Sequence, residues 1–169
     1  MSVNIRINVF DPASIEAAIK QLGDYSKSLD DKASLLAEKL AEKGLRYAEW
    51  NFSSVQWTYS GVVDYRMDVE KVDNTHYVIT AGGETVLFLE FGAGAKLGYG
   101  HPKAQEMGMG PGTYPNGKGH WDSPHGWWYV DEGGKHHTYG NAPGMPMYNA
   151  AQDLKNEILQ TAREVFGTS

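Results

Sequence analysis

Residues Thr85–Gly94 read TVLFLEFGAG. Four apolar side chains, Val86 to Leu89, run without a break. A lone carboxylate, Glu90, and an aromatic, Phe91, follow before the chain turns glycine-rich. A short apolar run with hydrophobic residues on both faces fits a strand covered on both sides, so Glu84–Phe91 is predicted as the central strand of a sheet. The residues just upstream support a sheet. Val63, Tyr65, Met67 and Val69 alternate with Asp64, Arg66, Asp68 and Glu70, the period of a half-buried strand. Asp73-Asn74 is a turn signal and predicts a further strand from about Thr75 to Ala81. Gly82-Gly83 then predicts a hairpin turn into the central strand, because glycine reaches positive φ without steric cost.

Outward from this centre, Val3, Ile5, Ile7 and Val9 alternate with Asn4, Arg6 and Asn8 and predict an N-terminal strand. Asp11-Pro12 supplies a cap followed by proline at the first helical position. A short helix is expected to Leu22, with Gly23 as its stop, and a longer one from about Leu29 to Asn51. Leu29, Ala33, Leu36, Leu40, Gly44 and Tyr47 form one stripe at spacings of three and four. Gly44 costs about 1 kcal/mol relative to alanine in a helix interior, which points to close packing there. Pro146 opens a last helix lined by Met147, Ala151, Leu154, Ile158, Ala162 and Val165. The order β-α-α-β-β-β-loop-α predicts an α+β fold, an antiparallel sheet of about four strands with helices packed on one face.

The chain has 169 residues, 21 acidic and 15 basic, and no cysteine. It is long enough to bury one core. Disulfides and thiolate metal sites are excluded. No basic block provides the footprint of a duplex-binding protein. No apolar run approaches the length of a membrane span, and the first ten residues lack the layout of a signal peptide, so a soluble cytoplasmic chain is expected. Residues 1–91 hold 14 acidic and 9 basic side chains, whereas 92–144 hold four of each with 14 of the 20 glycines and five of the six histidines. That shift predicts one domain over 1–169, its core drawn from 1–91 and 145–169. Residues 92–144 form an extended loop or β-arm with too few aliphatics for a core of its own.

This insertion holds the candidate chemistry. His120, Asp122, His125, His136 and His137 are residue types that suit a metal site or an acid–base pair, and an alternative reading is a metal-dependent hydrolase or nuclease built on them. The histidines are scattered over glycine-rich chain without the helical spacing of a ligand set, and surface histidines in a loop explain them as well. Trp121, Trp127, Trp128, Tyr129 and Tyr139 must either fold back on the domain or meet another chain. Trp and Tyr are the residues most enriched at interface hot spots. Asp131–Gly134 reads as a hairpin turn between arms at 127–130 and 135–139. Such an arm can order on assembly, pack on its own domain, or grip a peptide or glycan. Glu90 has His101 as its nearest acid–base partner in sequence. A structural role is expected instead, with Gly92 and Gly94 N–H groups or a neighbouring subunit's cation as partners.

The segment LFLEFG at Leu87–Gly92, the aromatic stretch GWWYVDEGGKHHTYGNAP, the helical N-terminal half and a final helix at Met147–Phe166 started through Pro143–Pro146 occur here in one order. In this the chain resembles the head–tail joining proteins of siphophages, also called neck or tail-completion proteins, over most of residues 25–166. The resemblance implies a non-enzymatic virion protein without cofactor or metal, made in the bacterial host cytoplasm and placed in the neck or tail of the particle. It implies a homo-oligomeric ring, six-fold in preference to twelve-fold, around a channel that DNA passes without sequence-specific binding. The implied partners are further copies of the chain and other head–tail connector, tail terminator or tail tube proteins, with no membrane. The implied assembly interface comprises Glu90, Phe91, Trp121, Trp127, Trp128, Tyr129 and Tyr139.

Overall fold

A computed structural model describes residues 4–8, 10–56, 64–109 and 123–167. Helix α1 spans Pro12–Ser54. It starts as the sequence predicts, with Asp11 Oδ1 accepting from Ala13 N at 3.1 Å and proline in the first turn. It then continues for 43 residues, about 64 Å, through the expected stop at Gly23. A single helix thus replaces the expected pair. A glycine costs a helix only about 1 kcal/mol, which the flanking helix formers Lys20, Gln21 and Leu22 absorb. Gly44 behaves as expected: a Cβ there would lie 2.6 Å from Ile79 Cδ1 and 3.1 Å from Leu154 Cδ2.

Among the described residues the first expected strand does not form. Residues 4–8 carry no strand, and Val3 and Val9 lie outside the described residues. Asn8 instead serves the start of α1, donating from its N–H to Ser14 Oγ at 2.8 Å and accepting from Asp11 N at 3.1 Å. Strands β1 (Arg66–Lys71) and β2 (Tyr77–Gly82) pair antiparallel with Val69 opposite Ile79. Their alternating half-buried residues face the helices, and Tyr65 stacks on Phe52 of α1 with ring centroids 4.8 Å apart. The predicted turn closes through Asp73, whose Oδ1 accepts from both Thr75 N and Thr75 Oγ1.

The principal correction concerns TVLFLEF. Val86–Phe91 is a helix, α2, not the central strand. A short apolar run cannot be told from a buried helix by periodicity alone. Here α2 lies between two apolar clusters. Val86 and Leu89 pack with Phe52, and Leu87 and Phe88 pack against Ala93 and Trp127. A helix flanked by cores on opposite sides is hydrophobic all round, and that pattern mimics a doubly covered strand. The four-stranded sheet is therefore replaced, among the described residues, by two separate two-stranded antiparallel sheets. The second is the hairpin of β3 (Trp127–Asp131) and β4 (Gly134–Thr138), formed where the Asp131–Gly134 turn was predicted. The fold is α+β.

Helix α3 (Pro146–Phe166) packs antiparallel along α1. Lys43 Nζ donates to Glu157 Oε2 and Thr161 Oγ1, each at 2.9 Å, and Asn51 Nδ2 donates to Asp153 Oδ2 at 3.2 Å. The packed face runs through Ala150, Leu154, Thr161 and Val165, so Ala151 and Ile158 of the expected stripe are turned to the surface. The far end of α3 stands beside Lys32, whose Nζ lies 6.0 Å from the Phe166 ring centre. The first five turns or so of α1 project past it. Among the described residues no helix is long and apolar enough to cross a membrane.

Candidate functional site

Glu90, the lone carboxylate of the opening stretch, is 6% exposed and sits where α2, the glycine-rich excursion and α3 meet. Helix α3 begins awkwardly. Met145 at its N-cap has φ 55° and ψ 39° and supplies no side-chain cap, and Pro146 has no N–H to satisfy. Glu90 provides the missing cap from across the fold: Oε2 accepts from Met147 N at 2.7 Å and Oε1 from Tyr148 N at 2.9 Å. A carboxylate also suits the positive end of the helix dipole.

The opposite debt is settled by the same loop. The Phe88 carbonyl accepts from Asn141 Nδ2 at 2.8 Å and the Leu89 carbonyl from Gly144 N at 2.7 Å, so the segment 141–144 supplies donors to two of the last four carbonyls of α2. Ala93 and Asn141 exchange backbone hydrogen bonds of 2.8 and 3.0 Å beside them. Gly140, at φ 100°, is required there because a Cβ would collide with the Ala93 carbonyl.

His101 completes the junction. Its Nε2 is 3.0 Å from Glu90 Oε1, and Lys103 N donates to its Nδ1 at 3.1 Å. Since Nδ1 accepts, the proton sits on Nε2 and is donated to the carboxylate. The ring lies against Phe91 and Tyr148, with centroids 4.4 and 5.6 Å away. The structure therefore brings Glu90 and His101 together, though both are buried and their polar atoms are spent on internal bonds. Glu90 takes its backbone donors from α3, whereas Gly92 N donates to Phe88, so the expected glycine partner is replaced. The pair positions three chain segments, which is a structural task.

The hairpin β3–β4 carries the remaining candidates on two faces. Trp127 is buried against Ala93, Leu87, Phe88 and Met109, and Tyr129, half-buried, stacks on His136 with centroids 5.3 Å apart. On the other face Trp128 is 60% and Val130 75% exposed. Trp128 is flanked by Lys135 Nζ, 4.9 Å from its ring, and by His137 at 4.9 Å. Exposed Tyr139 extends this face, with His137 at 4.9 Å and Lys96 Nζ 4.2 Å above its ring. The hairpin thus has an anchored side and a presented side, the latter an apolar-aromatic strip edged by cations. Phe91 is buried, while Trp121, His120 and Asp122 lie outside the described residues. Sequence reading missed Val130, Lys135 and Lys96. Strict alternation along the predicted hairpin would have placed Val130 and Lys135 beside Trp128.

His137 Nε2 is 2.9 Å from the His125 carbonyl, and among the described residues no group of three or more His, Cys, Asp or Glu could hold a metal ion. No protein-family model, curated protein or solved structure matches this chain.

Proposed function

We propose that this chain is a non-enzymatic structural protein of a tailed-phage or prophage particle. In this reading it assembles as a ring at the head–tail junction around the DNA channel, in contact with connector, terminator or tail tube proteins. The observation that carries the reading is the anchored aromatic hairpin. Trp127 fixes it to the body, while Trp128, Val130 and Tyr139 are held out with Lys96 and Lys135 beside them. Large exposed aromatics on a rigid support are the composition of an interface core. A hairpin also offers strand edges to a neighbouring subunit. The long N-terminal helix, the hairpin and the proline-started last helix retain the order of parts on which the phage resemblance rests, although LFLEFG contributes a helix and not a strand. Glu90 and Phe91 then support the interface from within rather than touching a partner.

The test is electron microscopy of lysates from a replicon lacking this gene, complemented with the parent chain or with Trp128→Ala. Filled heads beside unattached tails in the deletion, restored by the parent and not by the variant, are expected. Normally joined particles in the deletion would overturn the reading.

A further inference from the structure

A second surface lies at the other end of the molecule. The residues of α1 at Ile15, Ile19, Leu22, Ser26, Leu29, Ala33, Leu36 and Leu40 follow one another at spacings of four and three, a single seam along the helix. Its C-terminal part is an in-chain interface. Ala33, Leu36 and Leu40 form the floor of an apolar groove of about 370 Å³, walled by Tyr77 and Ile79 on one side and Leu154 and Phe166 on the other. The groove closes at Gly44, where Ile79 and Leu154 meet over the helix. Its N-terminal part runs past the end of α3, and there Ile15, Ile19, Leu22 and Leu29 are 39–64% exposed. A contiguous apolar strip on this scale marks an interaction site.

We propose that overhang and groove are the two halves of one self-complementary surface, occupied by α1 of a second copy lying antiparallel. Seam positions of an antiparallel pair meet a to d. The register that places Ile15 over Leu40 of the partner chain also places Ile19 over Leu36, Leu22 over Ala33 and Ser26 over Leu29, with the two-fold axis between Lys27 and Ser28. Large side chains thereby face small ones at the inner two layers. Pro12 falls opposite Lys43, next to the Gly44 closure, so the first half of the overhang, residues 12–22, lies over the groove floor of the partner chain, and the second halves of the two overhangs lie over each other. The paired helix is about 48 Å long. Charge does not oppose it. Although the chain carries a net −6, residues 12–32 hold four acidic and three basic side chains. The same patch on both partners is an isologous contact. The pairing stands on α1 and its groove alone and does not depend on the ring.

Sedimentation equilibrium of the full chain at micromolar concentration is expected to show a dimer. Ile19→Asp, at a position 64% exposed, is expected to raise the dissociation constant at least tenfold while the far-ultraviolet circular dichroism stays that of the parent. The chain has no cysteine, so Ile15→Cys and Leu40→Cys can be made singly. Each alone should stay uncrosslinked under oxidation, and a mixture of the two should form a covalent dimer. A monomeric parent chain, a variant that dimerises as the parent does, or crosslinking of either single variant with itself overturns the proposal.

Discussion

Removing the Glu90 carboxylate should loosen α3 from its N-terminus. In Glu90→Gln the side chain keeps its shape, but one oxygen becomes an NH₂ donor. Oε1 serves two donors, Tyr148 N and His101 Nε2, and Oε2 serves Met147 N alone. The amide therefore settles with its oxygen at the Oε1 position, leaving Met147 N–H facing another donor. One buried unsatisfied donor costs about 1–3 kcal/mol. A loss of about 2 kcal/mol is expected, a fall in Tm of roughly 4–8 °C for a chain of this size. Glu90→Ala strands all three donors and opens a void, and should cost about 4 kcal/mol. Urea unfolding gives the size of the loss, and amide hydrogen exchange gives its place. Met147 and Tyr148 should lose protection first, ahead of amides in the middle of α1. If both variants unfold within about 0.5 kcal/mol of the parent, or if those two amides exchange as before, the carboxylate is not the cap.

The two glycines of α1 should respond with opposite signs. Gly23→Ala meets nothing within 4 Å and should stabilise by about 0.5–1 kcal/mol. Gly44→Ala drives a methyl into Ile79 and Leu154 and should destabilise by about 1–2 kcal/mol net, both read by urea unfolding. Trp127→Ala removes a buried indole and should cost about 3 kcal/mol or more. Trp128→Ala should change fold stability by under about 0.5 kcal/mol, so the pair separates anchor from presented surface in one calorimetric comparison. In the β1–β2 turn, hydrogen bonds from the Thr75 backbone and then its hydroxyl hold the Asp73 carboxyl below its ordinary value of 3.8. Its contribution to stability is therefore present above that value and lost as pH falls through the lower, folded value. A carboxyl NMR titration should find the depressed midpoint in the parent and a less depressed one in Thr75→Ala, which loses the hydroxyl and keeps the stronger backbone donor.

How much of this was legible in the sequence depended on whether a local signal or a distant partner decided the outcome. Asp11-Pro12 and Pro146 marked helix starts because proline's fixed φ is a property of the residue itself. The turns at Asp73 and at Glu132-Gly133 were legible for the same reason. Gly23 misled because a stop signal names a preference of about 1 kcal/mol and says nothing of what the neighbours contribute. TVLFLEF misled because its pattern records only that it is covered all round. Helix and strand were then decided by where Phe52 and Trp127 stood, and neither position is local. Glu90 was singled out correctly as a carboxylate needing donors. Its donors lie 57 and 58 positions downstream, at a helix whose poor self-capping came from the left-handed Met145, a conformation that methionine does not announce.

The paired hydrogen bonds between Ala93 and Asn141 bring the two ends of the intervening stretch side by side at a rigid seam. The core holds that stretch where it leaves and returns and at two points between, His101 against Glu90 and Trp127 against Leu87 and Phe88. For a flexible loop, doubling the span costs only about 0.6 kcal/mol. Length added between those tethers costs little, whereas the tethers themselves must stay. The presented strip of Trp128, Val130 and Tyr139 touches neither tether, so a change of partner can be written there while the helices around Glu90 keep their places.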